Sequence, residues 1–550
     1  MKPQRILLGM ALSLAWPAAL PAMVSETSAE LRQYVRARLA DAGGMPDAAA
    51  TSYAKLLQAA PEDRRLALRT YRQALTAGNF KLAGLAAAQL DRLGALPPDA
   101  VLMLFSDAVV ARDWKRADAV IQRIDREQVF AFLNPVMRGW VAYGQKRGDA
   151  VRLVSAGMGS QLANAYARDH QLLIALAAGH TDALANLRRL VAAGDSRALR
   201  LQLAAGALLA KRGDKAGARA ILDGKAPELA AARALLEAGK PLAGAIDTPE
   251  LGLSELFAQL AIEVKGDGRS PVSLQLARLA GYLAPGNAAA TIAVADLLAA
   301  NGYHEAALAA IGQVPADDPL AQAARQERSS ILLAMGNREA ALAEAQKSAQ
   351  QAGATAAAFV ELGGILSDLD RPAEAAAAYR RAIEMDKALG APNWPHLFLL
   401  AGALDRSGNW AEAKATLRQA SQLAPNQPVV LNYLGYGMLD RNEDLAEAQV
   451  FIERASGLDP NDAAIADSLG WLYYRRGNYA GAIAALERAV AGDPGQSVIN
   501  EHLGDAYWAV GRRIEARYAW RAALVEADKP GAERLGRKLA DGIGPALGAK

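Results

Sequence analysis

Several short stretches of this chain have residue types and spacings that could do chemistry. "SYAK", Ser52 to Lys55, has the Ser-x-x-Lys spacing of penicillin-interacting serine enzymes, in which a lysine activates a serine for acyl transfer. It stands alone, with no S-D-N or K-T-G after it, so coincidence is the simpler reading. "KGDGRS", 265 to 270, is glycine-rich but lacks the preceding strand and the G-K-[ST] that a phosphate-cradling loop needs. The five histidines, His170, His180, His304, His396 and His502, are scattered, and "HEAAL" at 304 to 308 lacks the second histidine of a zinc protease helix. They read as ordinary helix or loop residues. With no cysteine in the chain, disulfides, thiol catalysis and Cys-ligated metal centres are excluded. Acidic groups such as "DRNED" read as solvated turns. No constellation carries catalysis, so an enzyme is not expected, nor a cofactor, nor a bound metal.

The elements around these residues point elsewhere. Gly470 is followed 12 residues later by Ala482, then by Leu486, Ala489 and Pro494, and the next copy runs Leu503, Gly504, Tyr507, Ala516, Trp520, Ala523, a step of 34. The preceding copy runs Leu434, Gly435, Ala448, Ile452, Ala455, Pro460, with one extra residue in its "DRNEDL" turn. The small residue opening each second helix recurs at Ala413, Ala375, Ala341, Ala307 and Ser273, and upstream at Ala49, Ala83, Ala117, Val151, Leu184 and Ala218. The register breaks once, between Ala218 and Ser273. A glycine inside a helix costs about 1 kcal/mol relative to alanine, so Gly435, Gly470 and Gly504 make sense where two helices pack closely. Leucine at Gly470 or Ala482 should overpack that contact at a cost of about 1–3 kcal/mol.

The stretch "LGWLYYRRGNYAGAIAALERAVAGDP" resembles the tetratricopeptide repeat, with that family's Leu-Gly, Tyr, Ala, Leu, Ala and Pro in order. The resemblance implies an all-α superhelical solenoid of about 14 tetratricopeptide-like helix hairpins, with one register break and a C-terminal capping helix. The expected organisation is a signal peptide over 1–22, a degenerate N-terminal solenoid over 30–222, an irregular connector over 223–252, a C-terminal solenoid over 253–528, and a capping helix and tail over 529–550. In "PGAERLGRKLADGIGPALGAK", Leu535, Leu539 and Ile543 fall at helical spacing, which suits a cap on the last repeat; a membrane-surface helix is the alternative.

In tetratricopeptide arrays the first helix of each unit lines the concave face. The matching positions are Asn432, Tyr436, Asp467, Trp471, Tyr474, Glu501, Asp505 and Trp508, an aromatic and acidic surface suited to partner binding. Inter-repeat packing of the same aromatics is the plainer reading, and Trp520 and Tyr507 fall at positions the repeat buries. The lysine-and-asparagine clamp of chaperone-binding relatives is absent, since Asn432, Asp467 and Glu501 stand there. Binding is assigned to the C-terminal units, with residues 30–222 supplying a second surface.

The first 22 residues place Lys2 and Arg5 before an apolar run from Ile6 to Trp16, then Pro17 and small residues to Ala22. This is the build of a secretory signal peptide, cleaved after Ala22; a retained anchor is the alternative. The chain has 61 basic against 58 acidic residues, a balance that predicts no bulk attraction to nucleic acid. The C-terminal block is similar to large exported tetratricopeptide proteins of Gram-negative bacteria, whose best understood type is a lipoprotein that holds a carboxyl-terminal processing protease and presents cell-wall hydrolases to it. That resemblance implies a periplasmic, non-enzymatic adaptor with protein partners, a protease or cell-wall hydrolase among them, and it leaves room for peripheral membrane association. The chain departs from that type in lacking a lipidation cysteine. The alternative function is a polysaccharide-handling module of an envelope export system, in which Trp471 and Trp508 would stack on sugars.

Overall fold

The computed structural model describes residues 22–155, 161–194, 197–265, 270–351, 354–388 and 390–544. The expected signal peptide and the core of "KGDGRS" therefore lie outside the described residues. Among the described residues there are thirty α-helices and no strand. The chain divides into two compact units, residues 1–337 and 338–550.

In the first unit, helices α1 (Ala22–Ala42), α2 (Pro46–Ala59), α3 (Arg64–Ala77), α4 (Phe80–Arg92), α5 (Val101–Val110), α6 (Trp114–Glu127), α7 (Asn134–Gly144), α8 (Ala150–Ser155), α9 (Gln161–Ala178), α10 (Ala183–Ala192), α11 (Ala198–Lys211) and α12 (Lys215–Ile221) pair in succession. A single helix α13 (Pro227–Glu237) follows, then the hairpins α14 (Pro249–Glu263) with α15 (Pro271–Leu283) and α16 (Ala288–Ala300) with α17 (His304–Ile311), and α18 (Ala321–Ala334). The second unit opens with α19 (Arg338–Gln350). It continues with five hairpins: α20 (Ala356–Asp368) with α21 (Pro372–Ala388), α22 (Trp394–Arg406) with α23 (Trp410–Leu423), α24 (Pro428–Asp440) with α25 (Leu445–Leu458), α26 (Ala463–Arg475) with α27 (Tyr479–Gly492), and α28 (Ser497–Ala509) with α29 (Arg513–Val525). The unit closes on α30 (Lys529–Asp541).

Local chemistry sets the hairpin turns. Gly477 adopts the left-handed φ of 77° that ends α26, and the Asn478 side chain accepts the Gly481 N–H to start α27. Where the turn carries its extra residue, Asn442 and Asp444 take the positive φ values and Asp444 caps α25. The small residues that open the second helices are the anchor of each pair: from Ala49 through Ala516, twelve of the fourteen are fully buried. The other two, Val151 and Leu184, are off by one residue. There the buried small residue is Ala150 or Ala183, the first residue of α8 or α10.

The register break has a structural consequence within the first unit. After α13 an extended segment with Gly239 and Gly244 at positive φ reverses the chain, and α14 and α15 pack back on the first helices α3, α5, α7 and α9. Gly252 of α14 lies so close to Trp140 of α7 that a Cβ there would come within 2.1 Å of the indole. Around this contact Tyr166 donates to Glu263 at 2.6 Å, Tyr282 donates to Asp107 at 2.9 Å, and Arg200 bridges Asp169 and the buried Glu255. Phe257, Leu253 and Leu256 are fully buried in one continuous core with Trp140. The N-terminal stretch was expected to offer a second binding surface, yet its first-helix face is filled by the chain's own α14 and α15. Apolar burial at this scale favours the closed arrangement over an open groove.

Candidate partner-binding face

In the second unit, the first helices α24, α26 and α28 pack on one another more closely than the second helices do, so theirs is the concave side. The glycines make this possible. A Cβ at Gly435 would meet Ile452 Cγ1 at 2.7 Å, at Gly470 Leu486 Cγ at 2.5 Å, and at Gly504 the Trp520 ring at 2.4 Å. Any larger residue would push the first helix off its partner and move the side chains it displays.

The eight residues expected to bind a partner separate into two groups. Asn432, Tyr436, Trp471 and Tyr474 are half-buried along α24 and α26. Trp471 stacks on His502 at 4.1 Å and on Tyr474 at 4.9 Å, with planes within 12° and 9° of parallel. Tyr474 leans on Tyr479 at 5.6 Å. Burial, reinforced by Asp467 and Asp440, pushes the Tyr436 phenol up to about 12, and burial with Asp505 does the same for Tyr474. Both therefore present neutral hydroxyls. The Oδ1 of Asn432 is buried without a hydrogen-bond partner, an acceptor whose isolation costs free energy until a donor reaches it.

The remaining four are engaged within the protein. Asp467 is buried and bonded to His502 Nδ1 at 2.8 Å. Glu501 accepts from Arg534 at 2.8 and 2.7 Å and from Lys538 at 2.7 Å, both on α30. Asp505 takes Lys538 at 2.8 and 2.7 Å and the Trp520 Nε1–H at 2.9 Å. The two carboxyls respond differently. Burial opposes ionisation of both, but at Glu501 the two cations prevail and hold it down to about 2, whereas the deeper Asp505 is pushed up in spite of Lys538. Trp508 donates to the Ile543 carbonyl at 2.8 Å, lies under the Arg513 guanidinium at 3.8 Å, and packs so tightly on Gly542 that a Cβ there would come within 1.9 Å of it.

The acids expected on this face are engaged one repeat further on: Glu501 and Asp505 pair with Arg534 and Lys538 of α30, and Asp467 bonds the His502 imidazole. Sequence reasoning passed over His502, Arg534 and Lys538. Their signal was present: 467 to 502, 501 to 534 and 505 to 538 are separations of 33 to 35, one repeat length, joining opposite charges or a carboxylate and an imidazole. Leu535 is fully buried, and Leu539 and Ile543 pack beside it against Trp508 and Trp520, the capping arrangement anticipated for this helix.

The other motifs fall into structural roles. Ser52 and Lys55 lie on α2, the second helix of the first hairpin. His170 accepts the Trp140 Nε1–H at 3.0 Å and is held down to about 3, chiefly by burial and then by Arg200. His396 bonds Asp386 at 2.6 Å. Among the described residues no group of three or more His, Asp or Glu side chains is placed to hold a metal, and no helix is long and apolar enough to cross a membrane.

Fold and site together define an all-α repeat protein of stacked helix hairpins with a half-buried aromatic row on its second unit. Residues 356–389 and 465–497 each match a tetratricopeptide repeat family model, and these segments are the α20–α21 and α26–α27 hairpins; the matches support placing the chain among tetratricopeptide repeat proteins. No curated protein matches it. Similar solved structures include the APC/C hetero-tetramer Cut9-Hcn1, 16% identical over 94% of this chain and 98% of that one, with a TM-score of 0.38. Others are a thermophilic TPR protein of Thermus thermophilus (22% identical, 34% of this chain and 99% of that one, TM-score 0.30) and Pseudomonas aeruginosa pilF (20%, 40% and 97%, TM-score 0.34). At these scores the fold assignment rests on the chain's own helix pairing.

Proposed function

We propose that this chain is a non-enzymatic scaffold of the bacterial periplasm that holds protein partners on the concave face of its second unit. The observation that carries the reading is the half-buried row Asn432, Tyr436, Trp471 and Tyr474, with the Trp471 and Tyr474 rings stacked. Rigid aromatics supply contact area at low entropic cost. Export rests on the N-terminal sequence pattern, and the resemblance to exported adaptors suggests a processing protease and a cell-wall hydrolase as partners. Because Glu501 and Asp505 are already paired with Arg534 and Lys538, the segment held here is expected to be mainly apolar or aromatic.

The test is capture from cross-linked periplasm with tagged protein and with the Y436A/W471A/Y474A variant, its fold checked by circular dichroism. Enrichment of a protease or hydrolase that is lost in the folded variant supports the proposal. The same proteins retained by both forms would move the binding face elsewhere, and capture of glycan alone would favour the polysaccharide alternative.

A further inference from the structure

The two ends of the chain are finished differently. At the C-terminal end α30 covers the last hairpin and turns Lys529, Glu533 and Arg537 to solvent. Among the described residues, the outer face of the N-terminal helix has no such cover. Leu31, Val35 and Leu39 are 63%, 47% and 65% exposed, with Tyr34 beside them at 39%. Ala37 stands 12 residues before Ala49, as Gly470 stands before Ala482 and Gly504 before Ala516, so Val35 corresponds to Ser468 and His502, and Leu39 to Leu472 and Ala506. All four of those are buried, and Ala506 clusters with Ala482 and Leu486 of the preceding hairpin. The α1 ridge is thus a surface that the repeat elsewhere covers.

The charge beside the ridge indicates what covers it here. On a helix of 3.6 residues per turn, Leu31, Val35 and Leu39 form one stripe, with Arg38 along one edge and Arg32 and Arg36 along the other, and all three arginines are exposed. Two copies joined ridge to ridge would bring like charges together. A layer of anionic headgroups would instead meet every arginine while the leucines enter the acyl boundary.

We propose that the outer face of α1 docks on an anionic phospholipid surface, with Leu31, Val35 and Leu39 as the apolar contact and Arg32, Arg36 and Arg38 as the headgroup contacts. The test is co-flotation of the full chain with vesicles of mixed phosphatidylglycerol and phosphatidylcholine, beside vesicles of phosphatidylcholine alone. Wild type is expected to float with the anionic vesicles in a salt-sensitive manner. R32Q/R36Q/R38Q should weaken this by about a hundredfold, from the contribution of each arginine near a charged surface, and L31S/V35S/L39S should weaken it comparably, with thermal melting unchanged in both. Three results would overturn the proposal: no flotation of wild type, flotation of both variants equal to wild type, or a concentration-dependent dimer in sedimentation equilibrium that only L31S/V35S/L39S abolishes.

Discussion

Replacing Gly470 by alanine should destabilise the second unit, although alanine is the better helix former. A Cβ at this position would come within 2.5 Å of Leu486 Cγ and 3.2 Å of the Ala482 carbonyl oxygen. Neither atom can retreat easily, since Leu486 is fully buried and the carbonyl belongs to the backbone of α27. That places the overpacking cost in the upper half of its usual range, about 2–3 kcal/mol. The gain in helix propensity offsets about 1 kcal/mol, leaving a net loss of about 1–2 kcal/mol. For a unit of this size, melting should fall by about 2–8 °C. Gly402 on α22 is the control. Nothing lies within 4 Å of a Cβ built there, so G402A carries only the propensity gain and should raise melting by about 2–4 °C. Because a repeat array need not unfold in one step, hydrogen exchange of the α26 and α27 amides gives the local reading. The double variant G470A/L486A, which empties the clash, should recover less than it loses, since it also leaves a cavity. If G470A and G402A shift stability in the same direction, close helix approach is not the reason for the glycine.

The cap and the first unit give further tests. Lys538→Met strips the shared counter-ion from two buried carboxylates and should cost about 2–4 kcal/mol near neutral pH, much of it recovered when Asp505 is also made Asn; equal loss in both backgrounds would show that Lys538 acts through its alkyl chain. His170 is protonated near pH 6.5 when unfolded but only near 3 when folded, so the unfolded state binds the extra proton and stability must fall as pH drops between those values. From about pH 7 to about pH 5 wild type should lose about 2 kcal/mol more than H170Q in urea titrations; parallel pH profiles would refute the buried neutral imidazole. A protease site inserted between Gly239 and Gly244 should yield fragments that co-elute after cleavage, because Trp140, Leu253 and Phe257 share one core; separation on a sizing column would show that α14 and α15 are not seated on the N-terminal hairpins.

The sequence alone determined the helical hairpin, its period and the capping helix. Those features depend on contacts within one repeat, where spacing along the chain maps directly onto spacing in space: Gly470 meets Leu486 and Ala482 inside a single hairpin. Even there the fixed period is off by one residue at Ala150 and Ala183, each the first residue of its helix. What only the tertiary structure decided was where charges and surfaces end up. Asp467, Glu501 and Asp505 look like exposed acids until His502, Arg534 and Lys538 arrive from the next helix in the stack. The N-terminal hairpins likewise look open until α14 and α15 fold into them across the irregular segment. Such contacts depend on which face of a repeat meets the following or a distant helix, and a pattern of residue types repeated along the chain does not encode that choice.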